Sequence, residues 1–327
     1  MKSKIINSYI PEVGHNIVKV IALDENHSAI LLYNYPKQNI IEIYGNQLLK
    51  RIILDKIPSF VSTLEFYTFF LFDNKLALLN FDNIIIWENI IENDNYNVYP
   101  ITNPFPIDKH VRRRHLIDSC YCKTRNSLFF TIGEYGHGGR AEFFSELKLI
   151  EQEEKKKFEW TSSISKLPTQ YFKATELSLN NHADTLVIQS IFIRNEKIHF
   201  HTNGGGKTGL KNGRCWFEFS QVGVFDLDMN FIAVYNIEEF GSGNYSNNGE
   251  LFIVHKYKGT NKLLFFETES YSLIEELSIT PKQNLGKFNK LTINSCISGE
   301  KLRIFNKNFM NVCELDKKMH ITSGHKT

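Results

Sequence analysis

The chain has 327 residues, 42% of them hydrophobic and 13% aromatic, with 38 basic and 36 acidic side chains and a formal net charge of +2. That apolar content supports a buried core and excludes a disordered chain. The near balance of charge argues against a dedicated nucleic-acid binder, which carries a clear basic excess.

Short β-rich runs separated by Asn, Asp, Gly and Lys fill the sequence. Ser28–Tyr35, Ile40–Tyr44, Asn83–Trp87, Ser127–Thr131 and Lys262–Phe266 show the β-branched and aromatic enrichment of strands. No long stretch carries a capped helical period. The charged run EQEEKKK, within Glu146–Trp160, is expected to be a solvated hairpin tip between two strands.

The prolines carry the period. Pro11, Pro58, Pro104, Pro168 and Pro281 each stand shortly before a strand-like run, with spacings of 47 and 46 residues for the first two intervals. Proline cannot donate to a strand ladder and collects in connections, and a four-stranded propeller blade takes about 40–50 residues. The sequence therefore predicts an all-β fold, a single closed β-propeller over residues 1–327.

The expected blades run from about Asn16 to Leu54, Phe60 to Ile101, His115 to Ile164, Tyr171 to Ile237 and Ser242 to Ile279. Leu291–Leu315 supplies three further strands, and Lys4–Tyr9 is expected to complete that last blade and close the ring, which removes open sheet edges. The count is six blades, or seven if the fourth, longer blade hides two. A pair of stacked β-sandwiches is the alternative.

In such a blade the loops between second and third strands share a face with the connections between blades. Asp108–His115 (DKHVRRRH), Gly136–Arg140 (GHGGR), Asn203–Arg214 (NGGGKTGLKNGR) and Gly241–Gly249 (GSGNYSNNG) then converge over blades three to five. An extended hairpin is expected at about residues 186–228, with Leu186–Thr202 pairing Arg214–Asp228 and a bulge near Arg194–Lys197.

Gly204–Thr208 (GGGKT) matches only part of a phosphate-binding loop, because the first glycine of that pattern falls on His201 and no helix follows. His199, His201 and His137 are candidate metal ligands at the channel mouth, set against unrelated polar residues on an exposed hairpin. Asp118 is a candidate channel acid. Glu134, Asp184 and Asp226 are acids that glycoside hydrolysis could pair, a pattern too common to specify it.

The five cysteines, Cys120, Cys122, Cys215, Cys296 and Cys313, form no disulfide framework or metal-finger spacing and read as reduced, buried thiols. No signal-peptide core or membrane-spanning run is present, so a cytoplasmic protein without a membrane partner is expected. No cofactor motif occurs.

The functional expectation is a non-enzymatic binding module. Lys109, Arg112, Arg113, Arg114, Arg140, Lys207, Lys211, Arg214 and Trp216 would engage an acidic partner protein, for example as an immunity protein of a bacterial toxin does. Nucleic acid is the weaker partner, since no aromatic residues interleave the basic loop. The alternative is a metal-assisted hydrolase at the channel mouth.

Overall fold

The structure is a computed structural model that describes residues 3–34, 38–57, 67–80, 82–102, 111–136, 139–152, 155–160, 165–166, 171–172, 185–210, 213–237, 243–255, 262–278 and 294–316. The chain divides into two compact units, one of Met1–Arg51 with Gly241–Thr327 and one of Ile52–Phe240.

The first unit holds three four-stranded antiparallel sheets. One is β2 (His15–Ala22), β3 (Ser28–Asn34), β4 (Gln38–Tyr44) and β5 (Leu48–Ile53). Another is β19 (Gly243–Tyr245), β20 (Leu251–His255), β21 (Lys262–Glu267) and β22 (Leu273–Ser278). In the third, β23 (Asn294–Ser298), β24 (Lys301–Asn306) and β25 (Phe309–Leu315) are completed by β1 (Ser3–Tyr9), which pairs antiparallel with β25 from Ser3↔Leu315 to Tyr9↔Met310. The N-terminal strand thus fills the place expected for it.

The second unit repeats the pattern. β6 (Tyr67–Phe72), β7 (Lys75–Asn80), β8 (Asn83–Trp87) and β9 (Tyr96–Thr102) form one meander, and β10 (Val111–Cys122), β11 (Ser127–Gly136), β12 (Gly139–Gln152) and β13 (Lys155–Trp160) the next. A short parallel contact, Phe158↔Ile101 and Glu159↔Thr102, fuses these two into a nine-stranded sheet with β14 (Ser165–Lys166), which pairs β12. The third meander is β15 (Thr185–Arg194), β16 (Lys197–Leu210), β17 (Gly213–Asp226) and β18 (Phe231–Ile237).

Burial explains why these runs read as strands without clean alternation. The second and third strands are buried on both faces, as in β3, β4, β7, β8, β20, β21 and β24. Strands covered on both sides read as continuous apolar runs. The fourth strands β5, β18 and β22 are largely exposed, and β1 alternates. Adjacent sheets pack face to face. Ile30, Leu32 and Ile40 meet Tyr9, Phe305 and Met310, while Ile253, Leu263 and Phe265 meet Leu302, Ile304 and Cys313. In the second unit the even positions of β11, Leu128, Phe130 and Ile132, face Leu79, Ile84 and Ile86, and Phe129 faces Phe200 and Phe225 on the other side.

Polar pins reinforce the packing. The buried Arg303 guanidinium of β24 donates to the backbone carbonyls of Asp24 (2.8 Å), Glu25 (2.7 Å) and Lys301 (3.0 Å) and to Ser28 Oγ (3.1 Å), tying two sheets at the β2–β3 turn. Tyr9 donates its hydroxyl to the buried Glu42 carboxylate (2.5 Å), which Arg51 also grips through Nε (2.7 Å). Burial and the neighbouring Glu42 carboxylate push the Tyr9 phenol well above its ordinary range.

Two local expectations change. Arg194–Lys197 is a tight turn between β15 and β16, with Asn195 and Glu196 at φ 48° and 56°, and not a bulge. Residues 185–226 therefore hold three strands, and β16 pairs β17 from Lys197↔Asp226 to Leu210↔Gly213. In the segment Gly241–Gly249, Gly243–Tyr245 is β19, and the turn that follows leads to β20 within the same sheet. That turn is not a connection between blades, so it does not join the proposed loop face. The EQEEKKK run covers the end of β12 and the start of β13, which pair out to Gln152↔Lys155.

Candidate functional site

The basic strand ends of the second unit are the strongest candidate. Val111 pairs Gly136 and Arg113 pairs Tyr135, so Arg112 is the extra residue of a bulge in β10. Tyr135 in turn pairs Arg140, which gives one row Arg112/Arg113–Tyr135–Arg140 across three strands. The next row is Arg114–Glu134–Ala141 and the one after it His115–Gly133–Glu142. On the neighbouring hairpin Lys207 stands opposite Trp216, and Arg214 opposite Gly209. Lys109, Lys211 and His137 lie outside the described residues.

Much of what reads as glycine loop is ladder. Gly204, Gly205, Gly206 and Gly209 all hold register positions in β16. This leaves no open phosphate-binding loop at GGGKT.

Two contacts orient β10 and β15. The Ile191 N–H donates to Asp118 Oδ2 (3.1 Å). Arg125, just past the end of β10, donates to the Leu227 carbonyl (3.0 Å) and to Asp228 Oδ1 (2.7 Å). Those residues follow β17, whose Asp226 pairs Lys197 beside the end of β15. The two first strands therefore run the same way. Their starts lie at one end of the second unit, together with the ends of the β11–β12 and β16–β17 ladders. Sequence reading had no access to Tyr135 as a member of this group, because only register brings it between two arginines.

The same contacts reassign Asp118. A bulge between Leu116 and Ser119 turns this stretch of β10 out of step, and its carboxylate holds the neighbouring strand's backbone. It is a strut between sheets. Asp226 is likewise a turn residue, accepting from the Asn230 side-chain amide (2.8 Å) and from the N–H groups of Asn230 (2.8 Å) and Asp228 (2.9 Å), bonds that hold its carboxyl below the usual range.

The histidine reading is corrected. His199 and His201 are only 5% and 0% exposed, on the face of β16 opposite Phe200. His201 Nε2 and Ser220 Oγ are 2.8 Å apart. Burial lowers His201 to about 3, and burial with Lys197 and Arg194 lowers His199 to about 4. They are interior residues rather than ligands at a channel mouth. Among the described residues no group of three His, Cys, Asp or Glu side chains is placed to hold a metal.

Cys120, Cys122, Cys296 and Cys313 are free thiols. Burial, with Asp118 and Cys122 adding, pushes Cys120 well up, and burial raises Cys296 and Cys313 to about 11. A protonated, buried thiol is a poor nucleophile. The described helix content is one turn, Leu54–Lys56, and no described helix is long and apolar enough to cross a membrane.

No protein-family model and no curated protein matches the sequence. Among solved structures, the chain is similar to the GH93 alpha-L-arabinofuranosidase of Fusarium graminearum in complex with arabinobiose, at TM-score 0.58 and 8% identity over 97% of this chain and 99% of that one. A mutant of the Fusarium graminearum alpha-l-arabinofuranosidase arb93a bound to an iminosugar inhibitor gives TM-score 0.55 at 7% identity, over 95% and 96%. Drosophila Semaphorin 1b, extracellular domains 1-2, gives TM-score 0.49 at 10% identity, over 96% and 87%. At such identities the first two likenesses speak for the fold alone. With the strand order described above, they make the chain an all-β protein of the β-propeller fold.

Proposed function

We propose that the protein is a non-enzymatic binding module whose basic strand ends engage an acidic partner protein. The observation that supports this is the placement of two neighbouring hairpin ends at one end of the second unit. One carries Arg112, Arg113, Arg114 and Arg140, and the other Lys207, Arg214 and Trp216. Arginine and tryptophan are the residue types that most often anchor interfaces. Lys109 and Lys211 extend the same basic stretch in sequence. The six four-stranded meanders are our blade count.

A specific form of the proposal is an immunity protein that occludes the active site of a bacterial toxin in the cytoplasm. The four free thiols among the described residues agree with a reducing compartment. The hydrolase alternative loses support, since His199 and His201 are interior and Asp118 is spent on a backbone N–H.

The test is co-purification from the native host with the parent chain and with an Arg112→Glu, Arg113→Glu, Arg114→Glu variant. One partner is expected with the parent and lost with the variant. A partner retained equally by both would refute the basic strand ends as the binding surface.

A further inference from the structure

We infer that the outer edge of β18 (FIAVYNI) is a self-association surface, independent of the basic strand ends, where a second copy of this chain adds its own β18 antiparallel and extends the sheet. Among the described strands β18 pairs with β17 only and ends its sheet. An edge strand turns a row of backbone N–H and C=O groups outward, ready to pair with another chain.

Edges are normally blunted by charge, by proline or by a covering element. The other outer strands carry such guards. β1 has Lys4, β5 has Lys50 and Arg51, β13 opens on three lysines, and β22 has Glu275 and Glu276. β9 has Pro100 and meets β13 along its edge. The seven residues of β18 include no charge and no proline. Its bulge, at Ile232, falls near one end, and Ala233–Ile237 keeps regular register with Val224–Ser220. The exposed side chains there are apolar. Phe231 is 40% and Ile232 45% exposed, and the half-buried Tyr171 stacks on Phe231 with ring centroids 4.1 Å apart.

Charge selects the occupant. In a two-fold antiparallel pair centred on Val234, Val234 meets Val234 of the partner subunit and Ala233 meets Tyr235 of the partner subunit, so no like charges oppose. The same self-pairing would set Lys50 against a second Arg51 at β5, and Glu275 against a second Glu276 at β22, and like charges directly opposite are destabilising. A two-fold contact needs a patch complementary to itself, and β18 is one. A single strand pair with its flanking rings covers less area than a standard stable interface, so the dimer is weak and concentration-dependent.

Sedimentation velocity of the full chain over about a hundredfold range of concentration tests this. The parent should shift from monomer to dimer as concentration rises. Val234→Lys and Val234→Glu should each weaken the dimer by about tenfold or more, since each sets like charges opposite at the two-fold axis. An equimolar mixture of the two should dimerise again, because lysine then faces glutamate. Should either variant fail to fold, as judged by circular dichroism, Ile232→Lys at the exposed bulge should show the same loss.

A parent that stays monomeric across the range overturns the inference, and a host partner lost with Val234→Lys would then give the edge to a foreign strand. A parent dimer that the charged variants leave intact places the contact elsewhere and overturns it too. Folded variants that remain monomeric when mixed refute the pairing centred on Val234.

Discussion

Acid should destabilise this fold before its carboxylates titrate, and His199 and His201 are the reason. Both are held neutral in the interior, with pKa values lowered to about 4 and about 3. In the unfolded chain a histidine titrates near its ordinary value of about 6.5. A folded-state value below the unfolded one means stability that is fully present above pH 6.5 and lost as the pH falls toward 4. At pH 5 the unfolded state has bound a proton at each site and the native state has not. That difference is worth about 2 kcal/mol per histidine, or about 4 kcal/mol for the pair. It is a large fraction of the roughly 5–15 kcal/mol that holds a domain together. Urea unfolding at pH 7.5, 6 and 5 measures it. The parent should lose about 4 kcal/mol more between pH 7.5 and 5 than the His199→Gln, His201→Gln variant does. His255, buried and lowered to about 4, supplies part of the slope that the variant keeps. The variant will start lower at pH 7.5, since Ser220 loses its ring partner, but the readout is the slope. Equal slopes for parent and variant would refute the interior, neutral assignment.

Replacing Arg303 with Met should cost about 2–4 kcal/mol, because several backbone carbonyls of the β2–β3 turn lose a buried donor; a shifted urea midpoint checks it, and Arg303→Lys should recover little. A Cβ at Gly133 would stand 2.3 Å from His115 Cε1, and one at Gly223 would stand 2.5 Å from Phe172 Cζ. Gly133→Ala and Gly223→Ala should each destabilise by about 1–3 kcal/mol through displaced rings, measured the same way. The buried thiols Cys122, Cys296 and Cys313 should resist a thiol-specific reagent in the native protein and react once it is unfolded in urea; fast native labelling of the half-buried Cys120 would contradict its raised pKa.

The strand inventory was legible because it rests on local chemistry. β-Branched runs, proline in connections and a spacing near 46 residues locate the meanders, and Lys4–Tyr9, directly before Pro11, was readable as the fourth strand of the last one. The site was less legible. The segment 194–197 looked like a bulge because Asn195 and Glu196 carry no glycine, although their positive φ makes the turn. His199 and His201 looked like exposed hairpin residues because polarity suggests water, yet packing on both faces of β16 buries them.

Composition and periodicity by themselves thus determined the class of fold and the order of its sheets. Those properties follow from pattern along the chain, where each residue's neighbours are its own sequence neighbours. Register was decided only by the tertiary structure. It alone set Tyr135 between Arg113 and Arg140, gave Asp118 to a neighbouring backbone and took two histidines out of solvent. Such groupings depend on which strands lie side by side and on single-residue bulges, and a one-residue slip would move every one of them to the opposite face.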